Sequence, residues 1–263
     1  VNQLPERFGG IVRLVGAAGA ARLRAAHVCV IGIGGVGSWT VEALARSGVG
    51  ALTLVDLDEI CVTNVNRQVH ALNGTVGRTK VEVMAERVRL IHPDCRVTTV
   101  AEFFTEANAA QLLTPEFCCV VDAIDAVANK CRLLALCRER RLPVVACGAA
   151  GGRLEATAVH IADLAEVSHD RLLAEVRKRL RKEHGFPKSG PLGVPCVFSP
   201  EPPVTPELPP CTESELESTP PPRLNCEWGY GSAAFVTGSF GFAAAGWVVR
   251  KLATGAVQDQ AMR

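Results

Sequence analysis

Gly32-Ile33-Gly34-Gly35-Val36-Gly37-Ser38 is the stretch whose reading decides the fold. It follows His27-Val28-Cys29-Val30-Ile31, apolar and β-branched on both faces, the pattern of a strand buried inside a parallel sheet. Glycine after such a strand permits a tight turn and close approach of backbone to a ligand. The amides opening the next helix, expected over 36–46, then face phosphate. Gly32, Gly34, Gly35, Val36 and Gly37 are therefore candidate phosphate-binding residues. The glycines alone do not name the nucleotide, since G-x-G-x-x-G serves NAD and FAD sites at least as often as others.

Working outward, a second apolar strand, Ala51–Val55, ends at Asp56, about twenty residues after the last glycine, where a carboxylate can accept hydrogen bonds from ribose hydroxyls. A dehydrogenase fits equally well up to this point. Thr63-Asn64-Val65-Asn66-Arg67-Gln68 and then Lys80 break the tie. Hydride transfer has no need for two added cations near the phosphates, whereas reaction at the α-phosphate of ATP accumulates charge that Arg, Lys or Mg²⁺ must neutralise. Residues 117–122 read as a fourth parallel strand with Asp125 just beyond its carboxyl end, the edge at which open α/β sheets bind ligands. Asp122 and Asp125 are the carboxylates suited to hold a hard metal ion there.

Helices expected over 36–46, 77–91, 105–113 and 128–140 alternate with strands, including 95–100 and 144–147. The fold class is α/β, a doubly wound, mostly parallel Rossmann-like sheet with a C-terminal extension. The adenylation core is expected over 1–152. Residues 153–263 continue the same domain with a strand at 157–161, a basic helix at 171–184, a Pro-rich loop at 187–223 and an apolar helix at 232–252. Twelve of the sixteen prolines fall between 187 and 222, which argues against regular structure over most of that stretch. Residues 232–249 carry no charge and approach the length of a membrane span, but the run is short of the ~20 residues a span prefers and is rich in Gly and Ala. A buried helix at a core or dimer interface is the favoured reading; membrane association through 232–249 is the alternative.

A chain of 263 residues with 48% hydrophobic content can bury a substantial core, and a formal charge of +1 gives no global field to announce a nucleic-acid ligand. Charge is nonetheless unevenly placed. Arg177, Lys178, Arg179, Arg181 and Lys182 cluster in the basic helix, while 201–217 is acidic without a cation. Eleven cysteines without a secretory signal point to a reducing, cytoplasmic setting, and Cys29, Cys118, Cys119 and Cys147 sit in apolar strand-like runs as small buried hydrophobes.

The glycine run, with Leu54-Val55-Asp56-Leu57-Asp58, 63–68, Val76-Gly77-Arg78-Thr79-Lys80 and Asp122-Ala123-Ile124-Asp125, resembles the adenylation domain of ubiquitin-activating-like enzymes, the superfamily of molybdopterin and thiamine adenylyltransferases. Arg7-Phe8-Gly9-Gly10, Gly148-Ala149-Ala150-Gly151-Gly152 and Cys196-Val197-Phe198-Ser199 are similar, within it, to the tRNA threonylcarbamoyladenosine dehydratases, and the resemblance runs from about Arg7 to Leu252. It implies ATP-dependent cyclisation, with net loss of water, of a modified adenosine in the tRNA anticodon loop through an acyl-adenylate. It assigns phosphate to the glycines, ribose to Asp56, triphosphate to Asn64, Arg67 and Lys80, and Mg²⁺ to Asp125, with Asp58 and Asp122 at the same nucleotide site. Arg67, Lys80 and Asp125 would be catalytic. A homodimer is implied, with Arg7 or Arg13 reaching the partner's ATP site; the alternative is that both only anchor the N-terminal segment.

Two rival functions use the same residues. One is adenylation of a ubiquitin-like sulfur carrier, against which stand Ala126, where such relatives typically have Asn, and the absence of paired Cys-x-x-Cys motifs for zinc. The other is a scaffold in a cysteine-desulfurase sulfur relay using Cys226, whose loop matches the family's cysteine-bearing loop. The basic helix becomes a patch for tRNA backbone. A monovalent cation, Na⁺ or K⁺, near the Gly-rich segment after Cys147 is left open.

Overall fold

Alternation of buried strands with helices builds one seven-stranded sheet, ordered β3-β2-β1-β4-β5-β7-β6. The computed structural model describes residues 4–205 and 230–255. The strands are β1 (His27–Ile31), β2 (Ala51–Val55), β3 (Arg96–Val100), β4 (Cys119–Asp122), β5 (Val144–Cys147), β6 (His160–Asp163) and β7 (Pro195–Phe198). The helices are α1 (Leu4–Arg7), α2 (Gly9–Ala25), α3 (Gly35–Arg46), α4 (Lys80–Ile91), α5 (Ala109–Leu112), α6 (Val127–Glu139), α7 (Arg171–Glu183) and α8 (Ala234–Thr254). All pairings are parallel except β6 with β7. β1 pairs with both β2 and β4, so the strand order reverses at its carboxyl end, where the glycine run begins.

Strand alternation divides the core between two faces. Val28, Val30, Leu52, Leu54, Cys119 and Val121 pack with residues of α2, α3, α4 and α8. Cys29, Ile31, Val120, Ala146 and Cys196 turn to the other face, against α5, α6 and α7. Burial pushes the Cys119 and Cys147 thiols up to about 12, so neither is nucleophilic near neutral pH.

Several expectations need correction. The Pro-rich loop contains β7, which inserts between β5 and β6; Pro195 is tolerated because it is the strand's first residue. The strand expected at 157–161 is shifted to β6, and the helix expected at 105–113 shrinks to α5. The helix expected from residue 77 starts at Lys80, since Gly77 has φ of 84°. α2 was not anticipated, and Gly16 interrupts it at φ 75°. α8 is a buried helix, as favoured: Val236, Phe240, Ala244, Val248 and Leu252 pack in the core. Among the described residues no helix is long and apolar enough to cross a membrane.

Candidate nucleotide site

Geometry alone requires glycine at two positions of the run. A Cβ on Gly37 would collide with the Gly32 carbonyl oxygen, and Gly32, at φ 91°, would place a Cβ 2.6 Å from the Ala123 carbonyl oxygen. The glycine run and the β4–α6 turn are therefore pressed together. Gly34 differs: the nearest atom to its would-be Cβ is Gln68 Nε2 at 4.0 Å. Its missing side chain leaves open space at the start of α3, where no side chain caps the helix and the first amides are available to an anion. Gly35 abuts Thr237 of α8, and Val36 is half-buried beside it.

Asp56 lies at the end of β2 and is buried. Its Oδ2 accepts from the Ile33 amide at 2.6 Å and its Oδ1 from the Asp58 amide at 2.9 Å, so the carboxylate ties the glycine run to the β2 terminus. Burial pushes its pKa upward, opposed by the Lys80 charge and these two amides. Lys80, buried at the first turn of α4, donates to Asp58 Oδ2 at 2.6 Å, with the Asp58 side chain half-exposed.

Asn64 ends the 3-10 turn Val62–Asn64, and its Oδ1 accepts from the Cys61 amide at 3.0 Å. Arg67 follows, its guanidinium donating to the Thr63 carbonyl at 2.6 Å and to Asn66 Oδ1 at 3.0 Å. The Arg67 carbonyl is held from both sides, by Trp39 Nε1 of α3 and Thr237 Oγ1 of α8, each at 3.0 Å. Neither anchor was anticipated from sequence.

The β4–α6 turn separates the two acidic candidates. Asp125 is exposed and has no hydrogen bond or ion pair with a described residue, which suits a carboxylate shared with phosphate-bound Mg²⁺. Asp122 does not fit that role and corrects the expectation. It is fully buried, and its Oδ1 lies 3.0 Å from Lys130 Nζ, itself fully buried, and 3.1 Å from the Ile124 amide. Lys130 also donates to the Ile124 carbonyl at 2.9 Å and the Asp122 carbonyl at 3.4 Å. Lys130 thus shapes the turn from which Asp125 emerges, a function that no spacing in the sequence announces.

The remaining candidates lie elsewhere. Arg7 donates to the Ile91 carbonyl at the end of α4 at 2.9 Å, and Arg13 is exposed on α2. Cys226 and residues 206–223 of the Pro-rich segment fall outside the described residues. After Cys147, the Gly-rich segment is closed by Asp170 of the α7 N-cap, which accepts from the Ala149 amide at 2.8 Å and the Leu173 amide at 2.9 Å.

The chain matches the ThiF family over residues 10–261. It is 47% identical over 251 residues, covering 94% of this chain and 93% of the relative, to a tRNA threonylcarbamoyladenosine dehydratase of Escherichia coli, and 40% identical over 190 residues to one of Bacillus subtilis, covering 72% and 73%. A molybdopterin-synthase adenylyltransferase of Escherichia coli is 36% identical, but over only 48% of this chain and 51% of that protein. The crystal structure of the E. coli dehydratase in complex with ATP superimposes with a TM-score of 0.87 at 43% identity, covering 98% of both chains.

Proposed function

Because this chain belongs to the ThiF family, sharing nearly its full length with the tRNA threonylcarbamoyladenosine dehydratases, we propose that it dehydrates threonylcarbamoyladenosine in tRNA at the expense of ATP. The likeness to an ATP-bound dehydratase across 98% of both chains carries this reading. The sulfur-carrier alternative is less supported, its relatives matching about half of the chain.

In this reading the modification's carboxylate attacks the α-phosphate of ATP, forming a P–O bond and releasing pyrophosphate. A nitrogen of the same modification then attacks the activated carbonyl, closes the ring and expels AMP; the net change is loss of one water. Arg67 and Lys80 neutralise the charge that gathers on the phosphates, while the open amides of α3 receive them. Asp56 orients the ribose. Asp125 would hold Mg²⁺, which when bound supplies Lewis-acid stabilisation of phosphate oxygens. The attacking nitrogen is tethered to the carbonyl it attacks, and well-oriented intramolecular reactions reach effective molarities of ~10⁵ M or more, so ring closure needs no thiol and Cys226 is dispensable for it.

The same proposal includes a homodimer. Arg7 is held by its own chain at Ile91, which makes exposed Arg13 the better candidate to reach the partner's triphosphate. Mixing Arg13→Ala and Asp125→Asn protomers should restore partial activity; no rescue removes the sharing.

The reaction is tested by mass spectrometry of the modified adenosine in tRNA incubated with this protein. The expected result is an ATP-dependent loss of one water. Pyrophosphate release with a ubiquitin-like carrier and none with modified tRNA would overturn it.

A further inference from the structure

Beyond the carboxyl end of β5 the chain reads Gly148-Ala149-Ala150-Gly151-Gly152-Arg153, small residues and then a cation. The sheet order places this end beside that of β4. With Asp56 after β2, the glycine run after β1 and Asp125 after β4, the nucleotide candidates occupy three adjacent strand ends, and the β5 segment is the next along the ligand-binding edge.

Arg153 is 3% exposed. Its Nη2 donates to the His169 carbonyl at 2.7 Å, in a turn where His169 has φ of 53°. That bond uses one nitrogen. Nε and Nη1 are buried and have no hydrogen-bond partner among the described residues. Burial pulls the Arg153 pKa down, and the two carboxylates that oppose it are engaged elsewhere. Asp170 accepts from the Ala149 and Leu173 amides, and Glu201 accepts from the Leu154 and Glu155 amides, each at 3.1 Å. The guanidinium is thus a buried charge with no bonded counter-ion among the described residues, an arrangement that costs stability and that an incoming anion repairs.

Gly152 links this residue to the triphosphate candidates. Its amide donates to the Gly231 carbonyl at 2.7 Å, and the next carbonyl, that of Ser232, accepts from Asn66 Nδ2 at 2.8 Å, one residue before Arg67. Residues 231–232 therefore bridge the Arg153 segment and the loop that carries Asn64 and Arg67.

Resting on the proposed tRNA reaction, we propose that Arg153 receives the carboxylate of the threonylcarbamoyl group. One carboxylate oxygen attacks the α-phosphate. The other, held by the guanidinium, stays on carbon as the carbonyl oxygen of the acyl-adenylate. When the ring-closing nitrogen attacks that carbon, the C=O electron pair moves onto the held oxygen. It returns as the C–O bond to AMP breaks, and the nitrogen's proton is lost to solvent. Arg153 stabilises the oxyanion, so one side chain serves both steps. A ligand reaches it by displacing part of its cover, and the exclusion of water strengthens the charge-assisted bond that results.

The test compares tRNA carrying threonylcarbamoyladenosine with the same tRNA after its threonyl carboxylate has been converted to the methylamide. By fluorescence anisotropy, wild-type protein should bind the acid roughly tenfold more tightly than the amide, and Arg153→Gln should bind both alike. A mere buttress for the His169 turn would leave this ratio untouched. In the dehydration assay Arg153→Gln should lose roughly 10²–10³-fold in kcat, with ATP affinity unchanged by calorimetry. Should Arg153→Gln fail to fold, Arg153→Lys keeps the charge without the fixed donor geometry and should retain a preference of only about threefold. A variant that still prefers the acid tenfold overturns the proposal. The contact and the reaction fail separately. A wild-type protein that discriminates acid from amide through Arg153 but never dehydrates the tRNA keeps the contact and overturns the reaction, whereas one that dehydrates the tRNA yet binds acid and amide equally overturns the contact alone.

Discussion

Two lysine–aspartate pairs flank the crevice, and they are built in opposite ways. Lys130 and Asp122 are fully buried at 3.0 Å, and the lysine's three N–H groups find three acceptors on Asp122 and Ile124. Lys80 and Asp58 are closer, at 2.6 Å, but the aspartate side chain is 50% exposed. The sealed pair is closed to solvent and holds the backbone of the β4–α6 turn. The open pair can exchange its carboxylate for a phosphate without unpairing a buried charge. In the proposed reaction the same two residue types serve as scaffold or as ligand-handling group according to whether the fold covers them.

The largest effect is expected at Lys130. Lys130→Met leaves the Asp122 carboxylate buried without its counter-ion, which destabilises a fold by about 3–5 kcal/mol; urea unfolding should register it, and adding Asp122→Asn should recover part. A variant of unchanged stability would mean that the pair is not the clamp described. Lys80→Met should do the reverse: pyrophosphate release in the proposed reaction falls roughly 10²–10³-fold, while stability moves by less than about 1 kcal/mol. Equal losses of stability for the two methionine variants would erase the distinction between the pairs.

His70, near the Lys80 charge, adds a pH dependence. Burial, assisted by the charges of Lys80 and Arg87, lowers its pKa from 6.5 to about 4, and neither ring nitrogen has a hydrogen-bond partner. Between pH 6.5 and 4 the unfolded chain takes up a proton that the native state refuses, so stability is present above that window and is lost as pH falls through it. The loss amounts to about 3 kcal/mol at pH 4. His70→Phe should leave stability at pH 7 nearly unchanged and flatten this part of the acid limb in denaturant titrations; an equally steep limb would exclude His70 as its source. The smallest effect expected is at Gly34. Gly34→Ala meets open space, so the melting temperature should hold while ATP affinity, read by calorimetry, weakens about tenfold, ~1.4 kcal/mol.

Much of the nucleotide half was legible because its signals are local. β1, β2 and β5 occupy the residues expected of them, each a short apolar run bounded by Gly, Asp or Pro. The glycine run, Asp56 and Lys80 do converge at the carboxyl ends of the strands. What escaped depends on partners distant in sequence. β7 is a strand only because β5 and β6 border it, and proline density concealed it. α2 carries Gly9, Gly10, Gly16 and Gly19, too many for a propensity argument, and is stabilised by packing that includes α8. Asp122 and Asp125 are three residues apart and chemically identical, and only the fold shows that one is sealed and the other open.

The Arg67 carbonyl, gripped by Trp39 and Thr237, has a consequence for how the molecule comes into being. Every residue assigned to the nucleotide precedes position 126, yet one of the two groups that fix Arg67 lies in α8, which also seats Gly241 against α3. During synthesis the first half of the chain can lay down its parallel strands, but the crevice keeps an unfastened wall until Thr237 has left the ribosome. The wall around Arg67 is therefore completed only once α8 has been made, well after the segment that carries the nucleotide candidates.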